Sequence, residues 1–320
     1  MVVQLIQVRK YAGSDGPVVV LHGGPGAPGS LAGLAAELAP DFEVWEPLQR
    51  RSGEVPLTVD RHVADLHDIA PDPATILGHS WGAMLGLSYA ARYPAAVRAL
   101  ALVSCGTYDT ASRGEYERRI KVNLGIEGNK QKQELRAAIE QAQDSAERDR
   151  LLGLIGTLNT EAQSFDVLPD DHVVTVDTAA HDETWRDVLR RQATGLEPQS
   201  FDAIESPVLM LHGDDDPHPG TMIRDTLLPH ILQLEYVGIP RCGHEPWRER
   251  HGREPFLTAL RGWLREPDGY PDSLAKRSSW SRRTGCSASM PSMTRSATRT
   301  TSQRSTRSSS MGCSLAYARR

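Results

Sequence analysis

Apolar runs alternate with segments of helical period along most of the chain. The runs are rich in Val, Leu and Ile, and several are uninterrupted, which is typical of strands covered on both faces of a sheet. The predicted strands span residues 2–8, 18–21, 42–45, 75–77, 97–103, 208–211 and 232–237. Helical patterns separate them at 30–38, 59–69, 83–92, 221–228 and 255–264. This alternation predicts an α/β fold, with a mostly parallel sheet flanked by helices.

The alternation stops between about residues 107 and 200. Sequence in this block is polar and helix-favouring, most clearly over 131–152, and strand-type residues resume at Pro207. We therefore expect an inserted helical cap at 107–200. Residues 1–106 and 201–266 would then form the core into which the cap is inserted.

Composition changes abruptly near residue 270. Residues 271–320 contain ten Lys and Arg against one acidic residue, whereas 1–270 contain 26 basic and 40 acidic residues, a net charge of −14. With few large apolar residues, segment 267–320 is predicted to be a disordered, basic tail rich in Ser and Arg. It is interpreted either as an arm for polyanions or as an extension without function, such as the product of a shifted reading frame. The acidic body argues against a nucleic-acid enzyme.

The sequence indicates no membrane or cofactor partner. No run approaches the ~20 apolar residues that a spanning helix requires, and the first ten residues do not resemble a signal peptide, so a cytoplasmic location is expected. The four cysteines lack metal-site or disulfide spacing and are predicted to be free thiols. No metal, nucleotide or flavin signature is present. The cysteines are Cys105, Cys242, Cys286 and Cys313.

The strongest candidate for chemistry is the segment 78–82, Gly-His-Ser-Trp-Gly, between a predicted strand and a predicted helix. A sharp turn there requires small residues at its two ends, and it projects the Ser80 hydroxyl above the sheet. The positive end of the following helix also points toward Ser80. We interpret Ser80 as a nucleophile, with a purely structural turn serine as the alternative.

A second glycine-rich segment, His-Gly-Gly-Pro-Gly at 22–26, follows the predicted strand 18–21. Its backbone could approach an oxyanion closely, so the backbone N–H groups of Gly24 and Trp81 are candidate oxyanion donors. The alternative is a tight turn that binds no ligand. His22 is interpreted as a structural histidine.

A serine nucleophile requires a base and an acid that orients the base. His-Gly-Asp-Asp-Asp-Pro at 212–217 and Arg-Cys-Gly-His-Glu at 241–245 each follow a predicted strand. Open parallel sheets place their sites at these strand ends. His244 is therefore the candidate base, with His251 as a substitute.

The acid lies among three consecutive aspartates at 214–216. Asp216 is the candidate, and Asp215 is the alternative. Ionising three adjacent carboxylates in a confined site is energetically unfavourable, so one of them is expected to have a raised pKa.

These motifs resemble those of the proline iminopeptidases and their relatives in the alpha/beta-hydrolase superfamily. The resemblance spans about residues 2–265 in the family's order, through the motifs at 22–26, 78–82, 213–216 and 241–244. It implies an alpha/beta-hydrolase fold that hydrolyses a small molecule or short peptide through an acyl-enzyme. The residues on the motif positions are the triad Ser80, Asp216 and His244 and the oxyanion-hole residues Gly24 and Trp81.

The chain departs from the iminopeptidase pattern in two places. Leu48 stands where the family has an aspartate, and Arg51 stands where it has a glycine. No acid of the predicted cap matches the carboxylates that bind the substrate amine in that family. The expectation is an iminopeptidase-like aminopeptidase; the alternatives are a small-molecule carboxylesterase or related C–O or C–C hydrolase, and a non-catalytic ligand-binding fold. The candidate cap acids are Glu115, Glu117, Asp166, Asp170, Asp171, Asp177 and Glu183.

Overall fold

The computed structural model describes residues 6–169 and 174–267. The chain divides into two units, Met1–Trp280 and Ser281–Arg320, and all described residues belong to the first. The predicted tail therefore lies outside the described residues, apart from its first position, Pro267. Among the helices of the described ranges, none combines the length and the apolar character needed to cross a membrane.

A seven-stranded sheet forms the centre of the fold. Its order is β1-β3-β2-β4-β5-β6-β7, with β1 antiparallel to β3 and all other neighbours parallel. The prediction of a mostly parallel sheet is confirmed. The strands are β1 (Gln7–Tyr11), β2 (Asp15–Leu21), β3 (Phe42–Leu48), β4 (Ala74–His79), β5 (Val97–Val103), β6 (Val208–Gly213) and β7 (Leu234–Ile239).

Eight α-helices accompany the sheet in the described part of the chain. They are α1 (Ala32–Leu38), α2 (Val59–His67), α3 (Trp81–Arg92), α4 (Thr110–Gln141), α5 (Ser145–Gln163), α6 (Thr178–Ala193), α7 (Gly220–Leu227) and α8 (Arg253–Arg265). Short 3₁₀ turns occur at Pro94–Ala96, Gln199–Ala203 and Pro246–Arg248.

Two hydrophobic cores lie on opposite faces of the sheet. Val19 and Leu21 of β2 pack with α2 and α3, whereas Val18 and Val20 pack with α1 and α8. Successive side chains of a strand point to opposite faces, so a strand covered on both sides must be apolar throughout. This arrangement explains the uninterrupted apolar runs.

The prediction of a first strand over 2–8 was wrong in position. The strand runs from Gln7 to Tyr11 at the edge of the sheet, and residues 1–5 lie outside the described part. Three of its five residues are exposed, because an edge strand is covered less completely than a central one. Apolar content was therefore a poor guide to its limits.

The segment between β5 and β6 contains three helices, α4 to α6. The helix-favouring stretch 131–152 is helical apart from a short break, because α4 ends at Gln141 and α5 begins after Asp144, whose side chain accepts a hydrogen bond from the Ala146 N–H. Gly125 bends α4, with φ 61° and ψ −167°. The division of the chain into core and cap domains stays a prediction.

Candidate active site

Ser80 occupies a strained turn between β4 and α3. Its φ of 52° and ψ of −114° are unfavourable for a residue with a side chain. A Cβ added at Gly78 would lie 2.2 Å from the Gly82 carbonyl oxygen, and one added at Gly82 would lie 2.0 Å from the Leu21 carbonyl oxygen. Both positions therefore require glycine, and the turn holds Ser80 at the amino end of α3.

The loop at 22–26 lies directly against this turn. A Cβ at Gly23 would lie 2.7 Å from His79 Nδ1 and 3.1 Å from the Ser80 Cβ, so glycine at this position lets the loop approach the turn closely. Gly24 has φ 60° and lines the same cavity as Ser80 and Trp81. In the part of the chain that the structure describes, the backbone N–H groups of Gly24 and Trp81 have no hydrogen-bond acceptor. Both donors are therefore free for a ligand.

His22, the first residue of this loop, is fully buried. Its Nδ1 lies 2.9 Å from the Gly23 carbonyl oxygen. Burial lowers the pKa of His22 to about 4, so the ring is neutral at neutral pH. These features agree with a structural histidine.

Asp216 and His244 form a buried hydrogen-bonded pair. The Nδ1–H of His244 donates to Asp216 Oδ2 at 2.7 Å. Burial opposes ionisation of Asp216, but the neighbouring imidazoles of His244, His218 and His212 hold the pKa of its carboxyl well below the usual range. Burial also lowers the pKa of His244, yet the charge and hydrogen bond of Asp216 outweigh it and raise that pKa overall. The pair is arranged to stabilise a protonated His244.

The turn that carries Ser80 contacts this pair through His79. Among the described residues, no hydrogen bond joins Ser80 Oγ to His244. The residue before the serine, His79, has its Nε2 3.0 Å from the His244 carbonyl oxygen, and the two rings are 4.8 Å apart. Hydrogen bonds of this kind are often long in unliganded enzymes and tighten when substrate binds.

The alternatives for acid and base lie elsewhere. Asp215 is exposed, and its backbone N–H donates to the Cys242 carbonyl oxygen. His251 is 3.6 Å from Asp166, on a partly exposed surface. The expectation of one raised aspartate pKa holds for Asp214, where burial acts first and the charge of Asp215 second.

His218 is a site residue that the sequence interpretation missed. Its backbone N–H and its Nδ1–H donate to Asp216 Oδ1 at 2.9 and 3.0 Å. Its ring lies between those of His244 and Tyr116, at centroid distances of 4.5 and 4.1 Å. Burial lowers the pKa of His218 to about 4, so it acts as a neutral donor. Its place two residues after Asp216, in the same turn, was the available signal.

A buried carboxylate, Glu249, holds the loop that carries His244. Its oxygens accept hydrogen bonds from the backbone N–H groups of Phe165, Asp166 and Gly243, at 2.9, 2.7 and 3.1 Å. The backbone N–H of His244 donates to the Gln163 carbonyl oxygen at 2.9 Å. The end of α5 and the residues after it thus fix the position of His244.

A cavity of about 590 Å³ opens at Ser80. The first turns of α4 and the stretch beyond its bend line one side of it, and Trp185 of α6 and His218 complete other parts of the wall. The cavity is thus built largely from the segment between β5 and β6. Among the described residues, four cationic side chains and one acidic side chain line it; these are Arg113, Lys121, Lys132, Arg136 and Glu117.

The candidate cap acids lie mostly away from this cavity. Glu115 is paired with Arg118 and Arg119, and Glu183 accepts a hydrogen bond from the Leu57 N–H. Asp166 pairs with Arg250, and Asp177 accepts hydrogen bonds from Ser52 and caps α6. Glu117 lines the cavity. Asp170 and Asp171 lie outside the described residues.

Asp216, His218 and His244 are also close enough to hold a metal ion. One ligand atom from each lies within 4.8 Å of the others. Both oxygens of Asp216 already accept hydrogen bonds from these imidazoles. Hydrogen bonding among the three side chains therefore accounts for the cluster.

A family model described as the alpha/beta hydrolase family matches residues 18–259. The chain belongs to the alpha/beta hydrolase family. Over 100 residues, this alpha/beta hydrolase is 38% identical to a proline iminopeptidase of Heyndrickxia coagulans. That match covers 28% of the chain and 34% of the relative, so it spans about a third of that protein.

Solved alpha/beta hydrolases share the fold. An esterase from Thermogutta terrifontis matches with a TM-score of 0.54 and 20% identity, over 82% of this chain and 93% of that one. The esterase EaEST from Exiguobacterium antarcticum matches with a TM-score of 0.54 and 15% identity, over 82% and 96%. Identities this low establish a common fold only, so the substrate has to be inferred from the geometry of the site.

Proposed function

We propose that this alpha/beta hydrolase is a serine hydrolase that acts through an acyl-enzyme. The observation that carries the proposal is the 2.7 Å hydrogen bond between His244 and Asp216 beside the strained turn of Ser80. Free backbone N–H groups of Gly24 and Trp81 lie on the same cavity as the serine. This set supplies a nucleophile, a base with its orienting acid, and two oxyanion donors.

In the proposed acylation, Ser80 Oγ attacks the substrate carbonyl carbon while His244 Nε2 takes the hydroxyl proton. The carbonyl oxygen becomes an oxyanion that the N–H groups of Gly24 and Trp81 stabilise; one such donor is typically worth ~10²–10³ in rate. Asp216 stabilises the imidazolium that forms. The tetrahedral intermediate then expels the alcohol or amine, which takes its proton from His244.

Deacylation repeats these steps with water as the nucleophile. His244 takes a proton from the water as it attacks the acyl carbon, and the second oxyanion is held by the same two N–H groups. Collapse of this intermediate breaks the bond to Ser80 Oγ. The serine recovers its proton from His244, and the carboxylic acid leaves.

For the substrate, we propose a carboxylic ester of a small molecule. An aminopeptidase must bind a protonated amine, and a desolvated ammonium requires an opposing carboxylate. Of the described candidate acids, Glu117 lines the cavity, where it is exposed and shares the lining with four cations. A prolyl aminopeptidase is the second candidate, supported by the partial match to a proline iminopeptidase.

A fluorophosphonate probe tests the serine mechanism. We expect wild type to be labelled and Ser80→Ala, with an unchanged circular dichroism spectrum, to be spared and inactive on every substrate. Absence of labelling in folded wild type would overturn the proposal.

A matched substrate panel separates the two candidates. Short acyl p-nitrophenyl esters are expected to turn over faster than prolyl or alanyl p-nitroanilides. The aminopeptidase would instead be established if the anilides are cleaved, if N-acetylation abolishes that cleavage, and if Glu117→Gln raises its KM.

A further inference from the structure

The cavity at Ser80 carries a charge opposite to that of the surrounding protein. Residues 1–270 have a net charge of −14, yet the described residues that line the cavity include four cationic side chains and one acidic one. Acidic residues outnumber basic ones in this body, so chance placement would favour a negative lining. Positive charge is therefore concentrated where the substrate binds.

Among the described residues, Arg113 and Lys132 lack the ion pairs that neighbouring cations on α4 make. On α4, Arg118 and Arg119 both pair with Glu115 at 2.7 Å, and these two arginines do not line the cavity. By contrast, no carboxylate within the described ranges lies within 4.0 Å of Arg113 or Lys132. Within the described ranges, α4 thus pairs Arg118 and Arg119 with a carboxylate and leaves Arg113 and Lys132 without one.

Lys132 and Arg136 lie one helical turn apart beyond the bend of α4. The Lys132 ammonium donates one hydrogen bond to Asn159 Oδ1 at 2.7 Å, which leaves two N–H groups for another acceptor. Burial and then the charge of Arg136 lower the pKa of Lys132 to about 8. Two adjacent like charges, one of them half-buried, are stabilised by a bound anion.

Arg113 is held in place by a neutral side chain. Its guanidinium donates to the Gln192 side-chain oxygen, and Gln192 in turn donates to the Thr107 carbonyl oxygen at 3.0 Å. The amide orients Arg113 without cancelling its charge. Arg113 Nε is buried and has no hydrogen-bond partner among the described residues. A preorganised, uncompensated cation of this kind is suited to a carboxylate.

We propose that the substrate is an ester that carries a carboxylate at a distance from the scissile bond, bound by Lys132, Arg136 and Arg113. The proposal rests on the proposed serine-hydrolase function and names its substrate class. The scissile carbonyl lies at Ser80, and the free carboxylate contacts these three cations of the cavity wall. Since the anion takes the place of a counter-ion that the described residues do not supply to Arg113 and Lys132, charge on the substrate is used for selection as well as for steering.

Two p-nitrophenyl esters of adipic acid test this proposal directly. One has a free distal carboxylate, and in the other that group is capped as a methyl ester, so the pair differs in charge at one end. We expect wild-type kcat/KM to be at least tenfold higher for the anionic ester, with a preference that shrinks as salt is added. Equal rates, or a preference for the capped ester, would overturn the proposal.

Matched variants on α4 assign the preference to the cavity. Lys132→Gln and Arg136→Gln are each expected to reduce the anionic-to-capped ratio of kcat/KM by roughly tenfold. The control is Lys130→Gln, two residues from Lys132 but exposed and paired with Glu134 at 3.9 Å. It should leave the ratio and both rates unchanged. An anionic-to-capped ratio of kcat/KM that is unchanged in both cavity variants would refute the assignment.

A binding measurement separates failure of this inference from failure of the serine mechanism. Calorimetric titration of Ser80→Ala with adipate requires no turnover, and binding that weakens in Ser80→Ala/Lys132→Gln supports the anion site even if neither ester is hydrolysed. If the capped ester is hydrolysed well while adipate does not bind, the serine mechanism stands and the anion site fails.

Discussion

The imidazole of His218 lies against that of His244, with ring centroids 4.5 Å apart and planes 21° from parallel. Both rings donate to Asp216, each to a different carboxylate oxygen. His244 is therefore fixed through its hydrogen bond and through one face of its ring. The proposed base is held by contacts from its own loop and from the turn that carries the acid.

The raised pKa of His244 predicts the form of the pH profile. Only the neutral imidazole accepts the serine proton, so kcat/KM should rise with pH along a limb whose midpoint lies above the ordinary histidine value of 6.5. Asp216→Asn removes the charge that raises this pKa. The limb should then move to lower pH, and kcat should fall on the order of 10⁴-fold. A wild-type profile that is flat from pH 5 to 8 would exclude His244 as the base.

His218 is predicted to act as a positioning residue through Asp216. His218→Ala removes a hydrogen bond to a charged oxygen, and kcat should fall roughly 10–100-fold with KM little changed. His218→Asn, whose amide N–H can replace Nδ1–H, should recover most of that loss. Equal losses in the two variants would indicate that the ring contributes through packing alone.

Glu249 is predicted to stabilise the fold and the His244 loop together. Glu249→Gln replaces one acceptor oxygen with a donor that faces backbone N–H groups, at a cost of about 1–3 kcal/mol for each buried group left unmatched. Urea unfolding measures the loss, and kcat should fall with it. Glu140→Gln, at an exposed position of α4, is the matched control and should change neither quantity. Unchanged stability in Glu249→Gln would contradict the structural role assigned to this carboxylate.

A chain that ends at Glu266 is predicted to be as active and as stable as the full chain. Every strand and helix assigned in the described residues ends before that position. Calorimetry should show melting temperatures that agree within about 2 °C. A clear fall on truncation would show that the removed segment packs on the body.

Local signals predicted the sheet and the candidate site, and long-range contacts account for what was missed. Gly78 and Gly82 are required by one turn, so their role could be inferred from neighbouring positions alone. The contacts of Glu249 with the residues after α5 cross more than 80 positions. The hydrophobic and polar periodicity of a sequence does not indicate which distant residues a buried carboxylate contacts.

The cationic cavity was missed for a related reason. Lys132 and Glu117 lie on one long helix with many other charges, and its sequence does not indicate which of them face inward. The bend at Gly125 changes the direction of the helix, so a single helical period cannot be extended through it. Only the folded arrangement shows which charges meet the substrate.

The bonds that hold the His244 loop also determine how this site opens. The amide N–H groups of His244, Phe165 and Asp166 all donate across the contact between this loop and the end of α5, to Gln163 and to Glu249. A fluctuation that separates the end of α5 from this loop breaks all three bonds at once. Their hydrogen-exchange rates should therefore share one opening free energy, and that free energy also sets how often the proposed base is out of place.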